Sequence, residues 1–249
     1  MTVTEHASLQ AALSAFAAGE GGSRVLVVWQ RVRRGLAVAG LDAVETERVS
    51  KLRRPDDRDR YLTAHHLARR VAGEYLTREP VDVVFDRTCL RCGEQHGAPS
   101  VVVPPGFSGG APPSVSLTHS GEIVGVALRL GGPVGLDVEE HWPDDREALL
   151  ADMVRSPGDA PDDVSGDVPE LGLRELWVAK EAVLKAAGTG LAASMTEVAL
   201  ASPYAEFGGR RWWWAQVPVT GLAGYAGALA GLGEAPKTVD VVSVRSAEW

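Results

Sequence analysis

Three consecutive residues near the midpoint, Gly131-Gly132-Pro133, constrain the fold of this chain more than any other feature. Such a run interrupts helix and strand alike, because glycine loses the most backbone entropy on ordering and proline lacks an amide donor. It divides 249 residues almost equally, and each half is the size of an ordinary domain. The order of elements is similar on both sides. In the first half the β-branched run at 25–30 reads as a buried strand, Asp42 as the N-cap of a short helix reaching residue 52, and Pro55 as the start of a helix to about residue 76. Residues 115–121 and 123–130 then read as strands joined by a turn at Ser120-Gly121-Glu122. In the second half, 134–140 reads as a strand and 177–185 as a helix stopped by Gly188 and Gly190. The runs near 197–200, 211–219, 225–230 and 238–244 read as strands of that half, with Trp212 and Trp214 facing opposite to Trp213. The expected fold is therefore α+β. It has two similar lobes, 1–131 and 132–249, each a small, mostly antiparallel sheet packed by a long helix, with the active site between them. Residues 1–23 read as a helical or loose leader, 104–113 as a loop, and 144–170 as an acidic surface segment around a short helix at 146–153.

Hydrophobic residues make up 45% and charged residues 23% of the chain, enough apolar material for a core without covalent staples. A net charge of −8 argues against nucleic-acid binding, which favours a basic surface. Two cysteines cannot build a disulfide framework, which points to a reducing compartment. The mildly apolar residues 11–18 follow no basic segment, and no apolar run approaches the ~18 residues of a membrane span. A soluble, cytoplasmic protein is expected.

The residues that can carry chemistry lie on either side of the division. In the second-half helix, Trp177, Glu181 and Lys185 recur every fourth residue and share one face. The plain reading of Glu181 and Lys185 is an i,i+4 ion pair contributing a few tenths of a kcal/mol. Just after the division, Asp137 and Glu139 stand two apart in a strand and aim the same way. Two carboxylates side by side repel unless a cation lies between them, and oxygen ligands suit Mg²⁺. In the first half Arg48, Lys51, Arg53, Arg54, Arg58 and Arg60 form a local basic concentration. It is either a solvated face partly cancelled by Asp56, Asp57 and Asp59, or a grip for phosphates, which arginine suits by bonding two oxygens at once. His119 closes a short strand, where a histidine is usually structural. Cys89-Leu90-Arg91-Cys92, with His96 nearby, reads as a zinc knuckle without an evident fourth ligand, a redox pair, or a turn carrying two reduced thiols.

Taken together, these motifs resemble the 4′-phosphopantetheinyl transferases of the surfactin-synthetase type. Gly135-Leu136-Asp137-Val138-Glu139 is followed some forty residues on by Trp177-Val178-Ala179-Lys180-Glu181-Ala182-Val183-Leu184-Lys185. Ser116-Leu117-Thr118-His119-Ser120-Gly121 precedes them, and Arg58-Asp59-Arg60-Tyr61 resembles the family's first lobe. The Cys89 to Gly97 segment is similar to that of actinobacterial-type members. The resemblance runs from about residue 45 to residue 230 and implies a monomeric pseudo-dimer. It further implies Mg²⁺-dependent (or Mn²⁺-dependent) transfer of the 4′-phosphopantetheine of coenzyme A to a serine of an acyl-carrier or peptidyl-carrier protein, releasing adenosine 3′,5′-bisphosphate. Such carriers serve fatty acid, polyketide, nonribosomal peptide or siderophore synthesis. On this resemblance Asp137 and Glu139 hold the metal, and Glu181 completes its shell or takes the serine proton. Lys180 and Lys185 contact the pyrophosphate, His119 bonds a phosphate oxygen, and Arg48, Lys51 and Arg60 grip the coenzyme from the first lobe. One departure stands out: the family's Gly-Lys-Pro or Gly-Arg-Pro is Gly97-Ala98-Pro99 here, so either another arginine compensates or coenzyme A is bound less tightly. Two other readings are a coenzyme A-binding module without catalysis and a zinc-binding or redox interaction protein built on Cys89 and Cys92.

Overall fold

Alternating apolar faces on two sheets divide the interior into four layers. A computed structural model describes residues 1–19, 23–89, 92–95, 97–107, 112–159 and 171–245. The chain opens with β1 (Thr2–His6), α1 (Leu9–Ala17) and β2 (Arg24–Arg31), followed by α2 (Ala43–Ser50) and α3 (Pro55–Leu76). It continues through β3 (Phe85–Asp86), β4 (Ser100–Val101), β5 (Ser114–Ser120) and β6 (Ile123–Arg129). Then come β7 (Val134–Glu139), α4 (Asp144–Val154), α5 (Leu173–Ala186), β8 (Ala199–Ala201), β9 (Tyr204–Phe207), β10 (Arg210–Gln216) and β11 (Ala226–Leu232). A last strand, β12 (Thr238–Val244), follows.

Two sheets result, with strand orders β1-β12-β2-β6-β5-β4-β3 and β7-β11-β10-β9-β8. Along β2, Leu26 and Val28 enter a core beneath α1 and α3, whereas Val25, Val27 and Trp29 enter a second core shared with Leu136, Val138, Trp213 and Leu229 of the other sheet. Trp212 and Trp214 turn the other way, into a third core under α5. The layers are thus helices, sheet, sheet, helix, and Trp213 faces away from its neighbours as the strand period demands. β11 supplies Ala226, Ala228 and Ala230 to the α5 core, small side chains that let the helix lie close. Among the described residues no helix is long and apolar enough to cross a membrane.

The helical reading of the leader holds at α1, and two points need correction. Residues 1–17 are an edge strand and a packed helix, with Leu9, Leu13 and Phe16 buried in the first core. More consequentially, β12 is not a strand of the second lobe. It lies between β1 and β2, parallel to both, so the chain crosses back after β11. The reason is electrostatic as well as apolar. Asp240 is fully buried, and its carboxylate accepts hydrogen bonds from Arg24 Nε at 2.7 Å and from His6 Nε2 at 2.7 Å. A buried carboxylate is tolerated only with partners, and these two lie on β1 and β2. Arg129 fastens the crossing: its guanidinium donates to the carbonyls of Pro133, Leu232 and Glu234 at 2.9–3.0 Å and lies over the Trp213 ring.

Candidate active site

The seam between the sheets is built by hydroxyls at period two. Ser116, Thr118 and Ser120 lie on one face of β5, and their oxygens accept hydrogen bonds from the backbone amides of Leu136, Val138 and Glu140 at 2.9–3.1 Å. The unpaired edge of β7 is thereby satisfied by side chains instead of another strand. Two of these hydroxyls also donate: Thr118 Oγ1 to Asp137 Oδ1 at 3.0 Å and Ser120 Oγ to Glu139 Oε2 at 2.9 Å. Each therefore holds the strand and aims a carboxylate.

Asp137 and Glu139 occupy the α5-facing side of β7, as does Gly135. A Cβ at Gly135 would run into the Ala182 carbonyl and lie 2.7 Å from the Ala186 amide, so only glycine lets the helix approach. That approach brings Glu181 and Lys185 beside the strand carboxylates. Lys185 Nζ donates to Asp137 Oδ1 at 2.6 Å and to the Leu136 carbonyl at 3.1 Å, while Asp137 Oδ2 is buried without a partner. Lys185 pairs with Asp137, tying α5 to β7, and makes no ion pair with Glu181. Glu181 is buried and accepts no hydrogen bond among the described residues. Burial pushes its carboxyl up; the Lys185 ammonium opposes this, and Asp137 and Glu139 add to the rise, leaving a pKa of about 7. Glu139 is raised too, first by burial and then by Asp137, against hydrogen bonds from Trp142 and Ser120.

These groups line a cavity of about 720 Å³ between the sheets. Arg48 and His119 face it from the first lobe, so six of the sequence-predicted residues converge: Arg48, His119, Asp137, Glu139, Glu181 and Lys185. The surrounding protein and then the charges on Lys185 and Arg60 push the His119 imidazole well below its usual range, so it is neutral at pH 7. The Arg48 side chain makes no hydrogen bond or ion pair among the described residues and is open to the cavity.

Three predicted residues are elsewhere. Lys180 is fully buried on another side of α5, its Nζ donating to the Val154 carbonyl at 2.7 Å and to Asp159 Oδ2 at 2.8 Å. Adjacent helix residues point about 100° apart, so Lys180 cannot share the face of Glu181. The expected contact of Lys180 with a pyrophosphate is corrected accordingly. Lys51 extends into solvent with Glu47, both side chains about 70% exposed, and is absent from the cavity wall. Arg60 lies near His119 but donates to Asp57 Oδ1 at 2.7 Å and to the Gly121 carbonyl at 3.2 Å, tying α3 to the β5–β6 turn. Trp177 packs against the core under the second sheet, lines the cavity and meets Trp142 edge-on at 5.4 Å.

The first-lobe wall contains groups the sequence did not disclose. Tyr61 stacks on His65 at 4.0 Å, and Arg87 reaches the cavity from beyond β3. Behind them Glu45 is buried, bonded to Arg69 at 2.6 and 2.9 Å, to Arg87 at 2.5 Å and to His65 Nδ1 at 2.9 Å. Asp42 takes further bonds from both arginines at 2.9 Å. The Asp42-x-x-Glu45 capping box is a readable local signal, and both its bonds form. Its arginine partners stand 24 and 42 residues away from Glu45, where spacing is silent. Cys89 is buried at the cavity wall, and Cys92 is exposed and not disulfide-bonded to it. His96, the remaining member of that motif, lies outside the described residues, as do residues 160–170 of the acidic segment.

Among the described residues no group of three or more His, Cys, Asp or Glu side chains is arranged as a ready-made metal site. The donor set nevertheless fits a hard divalent cation. Asp137, Glu139 and Glu181 crowd negative charge into one buried place, one Asp137 oxygen has no partner, and the Glu181 carboxyl is driven towards protonation for want of a counter-charge.

No family model matches the chain. It is similar to a Synechocystis sp. protein named "Putative 4′-phosphopantetheinyl transferase slr0495", with 28% identity over 160 residues, 64% of this chain and 61% of that protein. It is also similar to the 4′-phosphopantetheinyl transferase AcpT of Salmonella typhimurium, 37% identical over 87 residues that make up 34% of this chain and 45% of the relative. The corresponding AcpT of Salmonella typhi is 36% identical over 87 residues, with the same shares. The chain thus spans about three fifths of the first relative's length and under half of the other two.

Proposed function

We propose that this chain is a 4′-phosphopantetheinyl transferase of two-lobed, pseudo-dimeric build, which moves the phosphopantetheine of coenzyme A to a serine of an acyl- or peptidyl-carrier protein. The observation that carries the reading is the convergence of Asp137, Glu139, Glu181 and Lys185 on one cavity, with Arg48 and His119 opposite. The names of its relatives point the same way.

In this reading Asp137, Glu139 and Glu181 hold Mg²⁺, which when bound supplies positive charge to the coenzyme's pyrophosphate. The Thr118 and Ser120 hydroxyls fix two of these carboxylates before any ligand arrives, so no reorganisation is needed later. Lys185, held by Asp137, presents its ammonium to the pyrophosphate and to the charge that grows on the leaving adenosine bisphosphate. The serine oxygen attacks the phosphorus nearest pantetheine, the bond from that phosphorus to the bridging oxygen breaks, and adenosine 3′,5′-bisphosphate leaves. With the ion's charge beside it Glu181 is ionised, and a water hydrogen-bonded to its carboxylate takes the serine proton. His119, neutral, donates a hydrogen bond to a phosphate oxygen. Arg48 takes the place of the cation missing at Ala98, because it is open to the cavity whereas Arg87 is engaged by Glu45 and Asp42. Trp177 and Tyr61 supply apolar wall.

The test is incubation with coenzyme A, Mg²⁺ and an apo carrier protein, followed by intact-mass spectrometry. The expected result is one added phosphopantetheine on the carrier, and an unmodified mass across several apo carriers of different pathways overturns the reading.

A further inference from the structure

Lys180 is the buried cation that the chemistry above leaves unused. Its ammonium is fully buried and satisfies the Val154 carbonyl, at the C-terminal end of α4 where helical carbonyls lack partners. Its other partner, Asp159, is a hub: Oδ2 also accepts the Ser156 amide at 2.8 Å, and Oδ1 accepts the Leu200 amide at 3.0 Å. One ion pair therefore ties the end of α4, the turn after it, α5 and the start of the β8 strand. The other end of the α4 segment reaches the site. Trp142, 1% exposed, donates from Nε1 to Glu139 Oε2 at 3.3 Å, packs edge-on against Trp177, and carries the Arg146 guanidinium 4.4 Å from its ring centroid.

We infer that Lys180 is a positioning residue: with Asp159 it anchors α4, and α4 holds Trp142 against Glu139 and Trp177 at the cavity. This inference rests on the transferase reading for its kinetic arm but not for its structural one. It differs from the coenzyme-contact role that the motif resemblance implies, since the Lys180 ammonium is fully buried on Val154 and Asp159 and does not line the cavity. Partners that orient ligand carboxylates typically matter 10- to 100-fold in activity.

Lys180→Met and Asp159→Asn, singly and together, separate the two roles. Hydrogen exchange of amides in residues 142–159 should rise at least tenfold in each single variant, while exchange in β5 and β6 stays at the wild-type rate. Coenzyme A affinity by calorimetry should stay within about twofold. Carrier turnover should fall roughly 10- to 100-fold in kcat with little change in KM for coenzyme A, and the double variant should be no worse than the poorer single one. Unchanged exchange at α4 in Asp159→Asn overturns the inference. So does a tenfold loss of coenzyme A affinity confined to Lys180→Met, which would put the ammonium on the coenzyme. Should Lys180→Met not fold, Asp159→Asn decides alone through exchange and turnover. If the wild-type chain modified no carrier, the function would be wrong, and the exchange and calorimetry results would still judge the tie.

Discussion

Replacing Glu45 with Gln keeps the side-chain shape and removes one charge from the first-lobe wall, and its effect can be worked from the structure. Glu45 is buried and faces His65, Arg69, Arg87 and Asp42. Burial alone would raise its carboxyl; the hydrogen bond from His65, the Asp42 amide and Arg69 outweigh burial and bring the pKa from 4.5 down to about 2. Burial lowers the His65 imidazole while Glu45 raises it, and the Arg69 and Arg87 guanidiniums complete the set of partners around the Glu45 carboxylate. A carboxyl depressed on folding contributes stability that is full above its unfolded value and is lost as pH falls through the folded one. At 1.36 kcal/mol per pH unit, the fall from 4.5 to about 2 corresponds to about 3 kcal/mol at pH 7 and about half of that at pH 3. This agrees with the 3–5 kcal/mol typical of breaking a buried ion pair. Urea unfolding of both proteins from pH 7 to pH 3, followed by tryptophan fluorescence, measures it. The variant should be less stable by about 3 kcal/mol at pH 7, with the gap closing on acidification. A difference below about 1 kcal/mol at pH 7, or one independent of pH, would refute the assignment of Glu45 as the ionised centre of the network.

Glu181→Gln removes charge but little volume, so turnover should fall at least 100-fold while coenzyme A still binds, as calorimetry would show; near-normal turnover would remove Glu181 from the base role. Gly135→Ala should lower stability by about 2–4 kcal/mol, because the new methyl meets the Ala182 carbonyl and neither backbone can yield cheaply. A melting temperature within 2 °C of wild type, by the ~2–4 °C per kcal/mol expected at this size, would show that α5 can back away. Arg48→Ala should weaken coenzyme A about tenfold and Lys51→Ala should leave it unchanged, since only the first faces the cavity. Equal losses would place both on the coenzyme.

Residue order alone made much of this protein legible. The α+β class, the long helices opening at Pro55 and around Trp177, and the alternation of Trp212, Trp213 and Trp214 follow from local propensity and periodicity. Those forces act over a few residues. The pairing of Asp137 with Glu139 and of Glu181 with Lys185 on common faces was readable for the same reason. Where the face of one element met another was not. A helical heptad places Lys180 near Glu181 in sequence, but only packing against β7 chose which face of α5 looks at the carboxylates, and it turned Lys180 to α4 instead. The β12 strand was legible as a strand and not as a member of the first sheet, because its neighbours are chosen by a buried Asp240 seeking Arg24 and His6 more than two hundred residues away. Likewise Glu45 announced itself as half of a capping box, while its larger role depends on Arg69 and Arg87 arriving from other elements. The serine and threonine ladder of β5 shows both kinds of information in one place. Its period of two is written in the chain, and the unpaired edge that gives the period its purpose exists only once the two sheets have come together.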